Sequence, residues 1–470
     1  MVAYLRPDDG VGVAMIPSRT RVAPLPTHWW PILHLAAILV VVTAGQRHVA
    51  AGQTGEIERV RTEWMRPSLV TPSESITRDG LTGRVLCGYQ GWFSAAGDGA
   101  GLGWRHWLKK DPSAPGGSSP AIDLLPDVSE LPPEERFASD IIGSDARPIE
   151  LFSSYLRPTV NRHFRWMREY GIDGVFVQRF ATTLRDPSLL AHATKVLASC
   201  RDGALEHGRV YAVMYDLSKM RSGSLEAVLE DWRHLRRRMK IGDDAASLRL
   251  NGVPLVAVWG IGFEKDRDYT LEECRRLVAA LKADGCAVLC GVPTGWRTLD
   301  RDSTADPLLH EILAICDVVC PWTVGRYSTE QAARHHAQSV WKADAEWCAE
   351  RNIDYLPVIF PGFSWHNLKG GPLDQIPRHG GRFLWTQAVA ARQADAGALY
   401  VAMFDEVDEA TAIFKCIDPP TPELAQRFVG LENLPSDHYL RLTGEIRRML
   451  RGERPASEEI PLISRQGDMR

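Results

Sequence analysis

Between Arg84 and Ile413 the chain repeats one alternation: a short, continuous, β-branched apolar run, then a stretch whose apolar residues return with helical period. Continuous apolar runs are what strands buried on both faces look like, and helical crossovers between them make such strands parallel. The runs are VLCGYQGWF (85–93), DGVFVQRF (173–180), VYAVMYDLS (210–218), PLVAVWGIGF (254–263), AVLCGVPTGW (287–296), DVVCPWTVGRY (317–327), YLPVIFPGFSW (355–365) and ALYVAMFDEVDE (398–409). Helices are expected over 158–170, 189–207, 225–239, 271–284, 330–351 and 383–396, several opened by Ser, Thr or Pro and closed by Gly. Eight such strands predict an α/β fold, a (β/α)8 TIM barrel with enlarged loops. The competing doubly wound open sheet lacks support, because no run is followed by GxGxxG or a phosphate loop.

Composition narrows the function classes. A chain of 470 residues with 44% hydrophobic and 24% charged residues is globular, not disordered, collagen-like or polytopic in a membrane. Lys+Arg 55 against Asp+Glu 59 leaves a net charge of −4, without the basic surplus of a nucleic-acid binder. Nine scattered cysteines make no disulfide framework. The i, i+4 pairs Cys286/Cys290 and Cys316/Cys320 lack a histidine set and read as buried structural thiols, so neither metal nor cofactor is expected. Arg6, Arg19 and Arg21 precede the apolar stretch Trp29 to Ala44, with Val42 and Ala44 at cleavage-site spacing. Residues 1–44 therefore read as a signal peptide or a membrane anchor, the one expected membrane contact, and place the rest outside the cytoplasm, periplasmic or extracellular. Residues 45–80 read as a linker or N-terminal wrap, 81–452 as the barrel and 453–470 as a polar tail.

Each run ends in groups foreign to a core, and a (β/α)8 barrel gathers its C-terminal strand ends on one face, where active sites lie. The expectation is a polar, indole-rich cup. Trp is unusually frequent, 15 against 13 Phe and 11 Tyr, and an indole face suits the apolar C–H face of a sugar ring. Trp92, Trp107, Trp259, Trp296, Trp322 and Trp365 are assigned to the cup; Trp166, Trp232, Trp341, Trp347 and Trp385, on helical stretches, are assigned to packing. Tyr89, His106, Arg179, Asp216, Arg326, His366 and Asp405 are further expected sugar contacts, which makes carbohydrate the expected partner. Oligomeric state is not readable.

The eighth run closes on Asp405, Glu406, Asp408 and Glu409. Mutual repulsion would raise some of their pKa values and leave one able to give a proton. Glu406 and Glu409 are three apart, so a turn would set them on one side, Cβ atoms about 5–6 Å apart, as a pair acting on one glycosidic bond. A solvated acidic loop or a calcium site fits the same spacing. Arg179, Arg297, Arg326 and Arg382 are candidates to neutralise the cluster.

The ordered series GYQGWF (88–93), GWRHW (103–107), YGIDGVFVQRF (170–180), MYDLS (214–218), VAVWGIGF (256–263), GVPTGWR (291–297), PWTVGRY (321–327), YLPVIFPGFSWHN (355–367), GGRFLW (380–385) and VAMFDEVDEATAIFK (401–415) resembles bacterial glycoside hydrolase family 71/99-like proteins, often labelled xylosidase/arabinosidase. YLRLTG (439–444) continues the resemblance. In the related family 99 endo-α-mannosidases the last strand ends in a motif of the form NEWHEGT, to which DEVDEAT (405–411) aligns without gaps. The resemblance implies catalysis by Glu406 and Glu409 with retention: Glu406 deprotonates the sugar 2-hydroxyl, which attacks C1 to give a 1,2-anhydro sugar, and Glu409 protonates the leaving oxygen and then activates water. Asp405 stands for the motif's Asn, Val407 for Trp, Asp408 for His and Ala410 for Gly. A barrel that binds glycan without cleaving it, or a metal-dependent deacetylase or phosphoesterase using residues 405–409, are the readings from other classes.

Overall fold

The alternation folds into one closed ring. The computed structural model describes residues 55–72, 74–143 and 147–461; the expected signal or anchor segment lies outside them. The parallel strands are β1 (Val85–Tyr89), β2 (Gly174–Phe180), β3 (Val210–Asp216), β4 (Val253–Trp259), β5 (Ala287–Val292), β6 (Val318–Pro321), β7 in two pieces (Asp354–Tyr355 and Val358–Ile359) and β8 (Leu399–Val401). Each pairs with the next, and β1 pairs with both β2 and β8. The ring closes through β7, whose first piece pairs with β6 and second with β8. Pro357, which has no N–H for the ladder, sits at the break. The seam still holds: the Leu356 amide donates to Val319 O (2.9 Å), and the Tyr400 amide to Pro357 O (3.0 Å).

Eight helices surround the ring: α1 (Arg157–Glu169), α2 (Pro187–His207), α3 (Glu226–His234), α4 (Leu271–Ala283), α5 (Leu308–Leu313), α6 (Glu330–His336, running through Ala337–Trp341 into Lys342–Ala349), α7 (Arg382–Gln393) and α8 (His438–Leu450). Their ends are written in the sequence. Asp186 caps α2, accepting from the Ser188 and Leu189 amides, with Pro187 at the first position. Gly208 ends it in the left-handed conformation. A capping box of Thr270 and Glu273 opens α4. Trp166, Trp232, Trp341 and Trp385 are buried between helices and barrel, and all nine cysteines are buried free thiols.

The N-terminal segment packs. Residues 55–64 form a helix whose Val60, with Met65 beyond it, is buried in the core. Ser68 donates to Asp202 (2.6 Å) and Arg201 to the Arg66 carbonyl (2.8 Å). At the other end Trp385 donates to the Ser457 carbonyl (2.9 Å). The long insertion between β1 and α1 folds back over the barrel mouth, where the amides of Asp123 and Leu124 both donate to the Val407 carbonyl (2.9 and 3.1 Å). It thereby braces the turn that follows β8.

Candidate active site

The C-terminal strand ends enclose a cavity of about 340 Å³. Gln90 and Trp92 beyond β1, Gln178 on β2, Asp216 on β3, Trp259 on β4, Trp322 beyond β6 and Glu406, Asp408 and Glu409 beyond β8 all face it. The two glutamates come together because residues 407–410 form a turn, which sets positions three apart on one side.

The floor of the cavity is acidic and buried. Glu406 accepts from Gln90 Nε2 at Oε1 (2.7 Å) and from the Thr411 hydroxyl at Oε2 (3.0 Å). Burial, followed by the charges of Glu409 and Asp408, pushes its carboxyl well above the usual range. Glu409, 8% exposed, is raised mainly by burial, opposed in part by a hydrogen bond from Trp365. Asp408 is pushed up to about 8, chiefly by burial. His106, partly buried beside Arg105, falls to about 3 through loss of solvent, followed by the Arg105 charge. Burial thus disfavours charge on both His106 and Asp408, which meet at 3.2 Å, Nδ1 to Oδ2.

No lysine or arginine among the described residues forms an ion pair with any of the four carboxylates of the turn. The four arginines expected to neutralise them are engaged elsewhere: Arg179 with Asp231, Arg297 with Asp344, Arg326 with Asp302 and Arg382 with Glu330. Protons take the place of cations.

Several expected sugar contacts lie away from the cavity, and strand parity explains two of them, Tyr89 and Arg179. Successive strand residues point to opposite faces, so beside each cavity residue stands one turned toward the helices. Tyr89, next to Gln90, is fully buried and hydrogen-bonded to His163 of α1 (2.9 Å). Arg179, next to Gln178, gives Nε and Nη2 to Asp231 of α3 (2.6 and 2.8 Å). Trp296 is buried with its indole N–H on Asp344 (3.1 Å), and Trp107 donates to the Phe152 carbonyl (2.9 Å). Arg326 is held by Asp302 (2.9 Å). The His366 amide caps onto Asp123 (2.7 Å) while its Nδ1 meets the Gly371 carbonyl (2.9 Å), outside the cavity wall. Asp405 is wholly buried and accepts from the Gln90 and Gly91 amides (2.7 and 2.8 Å). It fastens the end of β1 to the end of β8. Gly91 has φ +58° there, and a Cβ on it would meet Val196 Cγ1 at 2.6 Å, so only glycine fits the approach. Trp365 stands behind Glu409 and bonds its carboxylate.

Of the expected set, Trp92, His106, Asp216, Trp259, Trp322, Glu406 and Glu409 share the cavity. Trp92 is stacked by His106 (4.0 Å, 4°) and by Phe180 (5.2 Å, 27°), and Arg267 lies over Trp259 (5.3 Å). Trp322, half-buried and edge-on to Trp259, is the indole left to meet a ligand. Wall residues beyond that set are Gln90, Gln178, Arg105, His192, Ser218 and Lys369. The glutamines stood in the strand-end pattern; His192 belongs to α2, where helical period gives no sign of a cavity. Buried polar atoms without a protein partner gather here: Gln90 Oε1, Trp92 Nε1, His192 Nε2, Ser218 Oγ, Trp259 Nε1, Trp322 Nε1 and Asp408 Oδ1. Among the described residues no group of three or more His, Cys, Asp or Glu is arranged to hold a metal ion.

No protein-family model and no curated protein sequence matches this chain. Solved structures do. The GH99 endo-alpha-mannosidase from Bacteroides thetaiotaomicron is similar over 79% of this chain and 99% of its own, at 16% identity and a TM-score of 0.58. The same enzyme in complex with bis-tris propane covers 79% and 99% at 16% identity and a TM-score of 0.57. The likeness is one of fold, and it agrees with the family 99 resemblance carried by the motifs.

Proposed function

We propose that the chain is a retaining glycoside hydrolase acting on an α-linked glycan. One observation carries this reading: two glutamates with no ion-paired lysine or arginine among the described residues share a cavity with indoles and a concentration of unpartnered polar atoms. A buried polar group left without a partner costs about 1–3 kcal/mol, so a wall rich in them suits a ligand with many hydroxyls. Trp322 supplies the apolar surface that the C–H face of a pyranose needs.

The chemistry follows from the proton inventory. Burial raises both carboxyls, and the charge of Glu409 raises Glu406 further, so the reading gives the pair one proton to share. Gln90 Nε2 and the Thr411 hydroxyl both donate to Glu406, which favours charge there against its burial, and the proposed cycle starts with the proton on Glu409. Glu406 then takes the proton of the sugar 2-hydroxyl as its oxygen attacks C1, while Glu409 protonates the departing oxygen. A water deprotonated by Glu409 opens the resulting 1,2-anhydro sugar at C1, and Glu406 returns the proton to O2. Two inversions give retention. Carboxylates from one turn approach the sugar from one side, which suits attack by its own hydroxyl better than a nucleophile facing an acid across the ring. Purified protein screened on α-mannans, α-glucans, xylans and arabinans, with product sizing, should release reducing ends, and Glu406→Gln and Glu409→Gln should each lower the rate about 10²–10⁴-fold while sugar binding survives. Full activity in both variants would overturn the assignment. Binding of intact polysaccharide without cleavage by the parent would make it a capture protein.

A further inference from the structure

We infer that the glycan entering this cavity is anionic, its carboxylate or sulfate seated against Arg105 and His192. The inference rests on the proposed glycan site and deepens it. Arg105 lines the cavity, is partly buried, and makes no ion pair or side-chain hydrogen bond among the described residues. By contrast Arg179, wholly buried, and Arg297 and Arg326, partly buried, are each paired with an aspartate. Holding a guanidinium partly out of water with nothing to pair it is costly, and the cost is recovered when a ligand brings the missing anion. The fork of N–H groups fits a carboxylate or a sulfate ester.

His192 supplies the second, independent element. It is 5% exposed and lines the same cavity, and its Nε2 has no partner. Burial keeps the ring neutral, so Nε2 is free to donate a single hydrogen bond beside the guanidinium. Lys219 and Lys369, exposed at the mouth and without ion pairs, extend the positive field outward. Three acids work against it: Asp98 beside His192, which accepts from the Ser94 and Ser153 hydroxyls and the Ala95 and Ala100 amides; Asp186, which lies near Arg105 but spends its carboxylate capping α2; and Asp216 in the wall. The acidic turn beyond β8 retains protons and so opposes an anion less than its composition suggests.

The test is binding by the full chain carrying Glu409→Gln, so that a failure of the hydrolase reading does not erase the readout. Neutral xylo- and manno-oligosaccharides are compared by calorimetry with oligogalacturonates and glucuronoxylan fragments (carboxylate) and with carrageenan oligosaccharides (sulfate). One acidic series should bind at least tenfold tighter than the neutral sugars, and the difference should shrink as NaCl is raised. Adding Arg105→Gln should remove that advantage with the melting temperature unchanged or higher. Equal affinity for neutral and acidic series, or acidic binding untouched by Arg105→Gln, would overturn the inference. Tight acidic binding with no hydrolysis by the parent chain would keep the inference and sink the hydrolase reading.

Discussion

Two buried charged clusters stand at the C-terminal end of this barrel, and they are solved in opposite ways. Between β2, β3 and α3, Arg179 gives two N–H groups to Asp231, which also accepts from the Tyr215 hydroxyl (2.7 Å). Beyond β8, Asp405, Glu406, Asp408 and Glu409 are buried with no lysine or arginine ion pair among the described residues, and two amides, a glutamine, a threonine, a histidine and an indole are their partners. The first cluster is closed on itself and serves the packing of helix on strand. The second keeps its protons available for transfer. Buried charge that is paired belongs to architecture, and buried charge left unpaired points to chemistry.

The contrast is sharpest where one side chain is removed from each cluster. Glu409→Gln is expected to cost catalysis about 10²–10⁴-fold while leaving the fold intact, because an amide relieves repulsion among acids. Asp231→Ala should do the reverse. It strands the Arg179 guanidinium, 2% exposed, and breaking a buried pair by removing one partner costs about 3–5 kcal/mol. Denaturant titrations of the two variants beside their rates check the opposition; a stable Asp231→Ala, or a Glu409→Gln that unfolds, would break it.

Sequence legibility divides along the same line. The ring itself was plain, since eight uninterrupted apolar runs at βα spacing admit few other folds, and the acidic turn announced itself by composition. What the runs could not show was which of two adjacent polar residues turns inward at a strand's end. Arg179 is an expected sugar contact by its strand-end position, yet the inward face holds its neighbour Gln178 and the outward face meets Asp231 on α3. That choice depends on the partner across 52 residues of chain, which no local pattern carries. His192 is hidden for a different reason: it lies in the early turns of helix α2, and only the packing of that helix against the barrel brings it to the cavity. The tryptophan excess was a mixed signal, split between wall residues such as Trp259 and Trp322 and packing residues such as Trp107 and Trp296.

The unpaired cluster should also reveal itself in the pH dependence of stability. Asp408 has its carboxyl raised to about 8 in the fold, against about 3.9 unfolded. The folded state thus binds the proton more tightly. Its contribution is complete below about pH 4, declines as pH rises, and is gone above about pH 8. Buried histidines such as His163, lowered to about 3, act at the acidic end, where the unfolded chain takes up their protons first. Above about pH 7.5 they are neutral in both states, and up to about pH 8 the unfolded chain's thiols still hold their protons, so carboxylates govern the slope between those limits. Melting temperature should fall across that window, and Asp408→Asn, which stays neutral, should flatten the fall and gain most at the alkaline end. A parallel slope in parent and variant would show that Asp408 is already ionised.

The smallest effect concerns the backbone that carries the two glutamates. Ala410 closes the turn at φ +52° and is buried, a conformation that costs an L-residue about 1–2 kcal/mol. It is the position at which the resembling motif has glycine, so the departure is a strained one. The turn is nonetheless held: Arg378 donates to the Ala410 and Ala412 carbonyls (2.8 and 2.7 Å), and the Thr411 amide to the Glu406 carbonyl (3.1 Å). Ala410→Gly removes the Cβ conflict but frees the unfolded chain, which takes back part of the gain. A net stabilisation of about 0.5–1 kcal/mol is expected, read as a rise of a few degrees in melting temperature. Hydrogen exchange at the Thr411 and Ala412 amides should slow with it, since both close on the Glu406 carbonyl. Loss of stability on adding glycine would mean that the methyl group's packing outweighs the strain, and that this turn is held by its core contacts more than by its carbonyl braces.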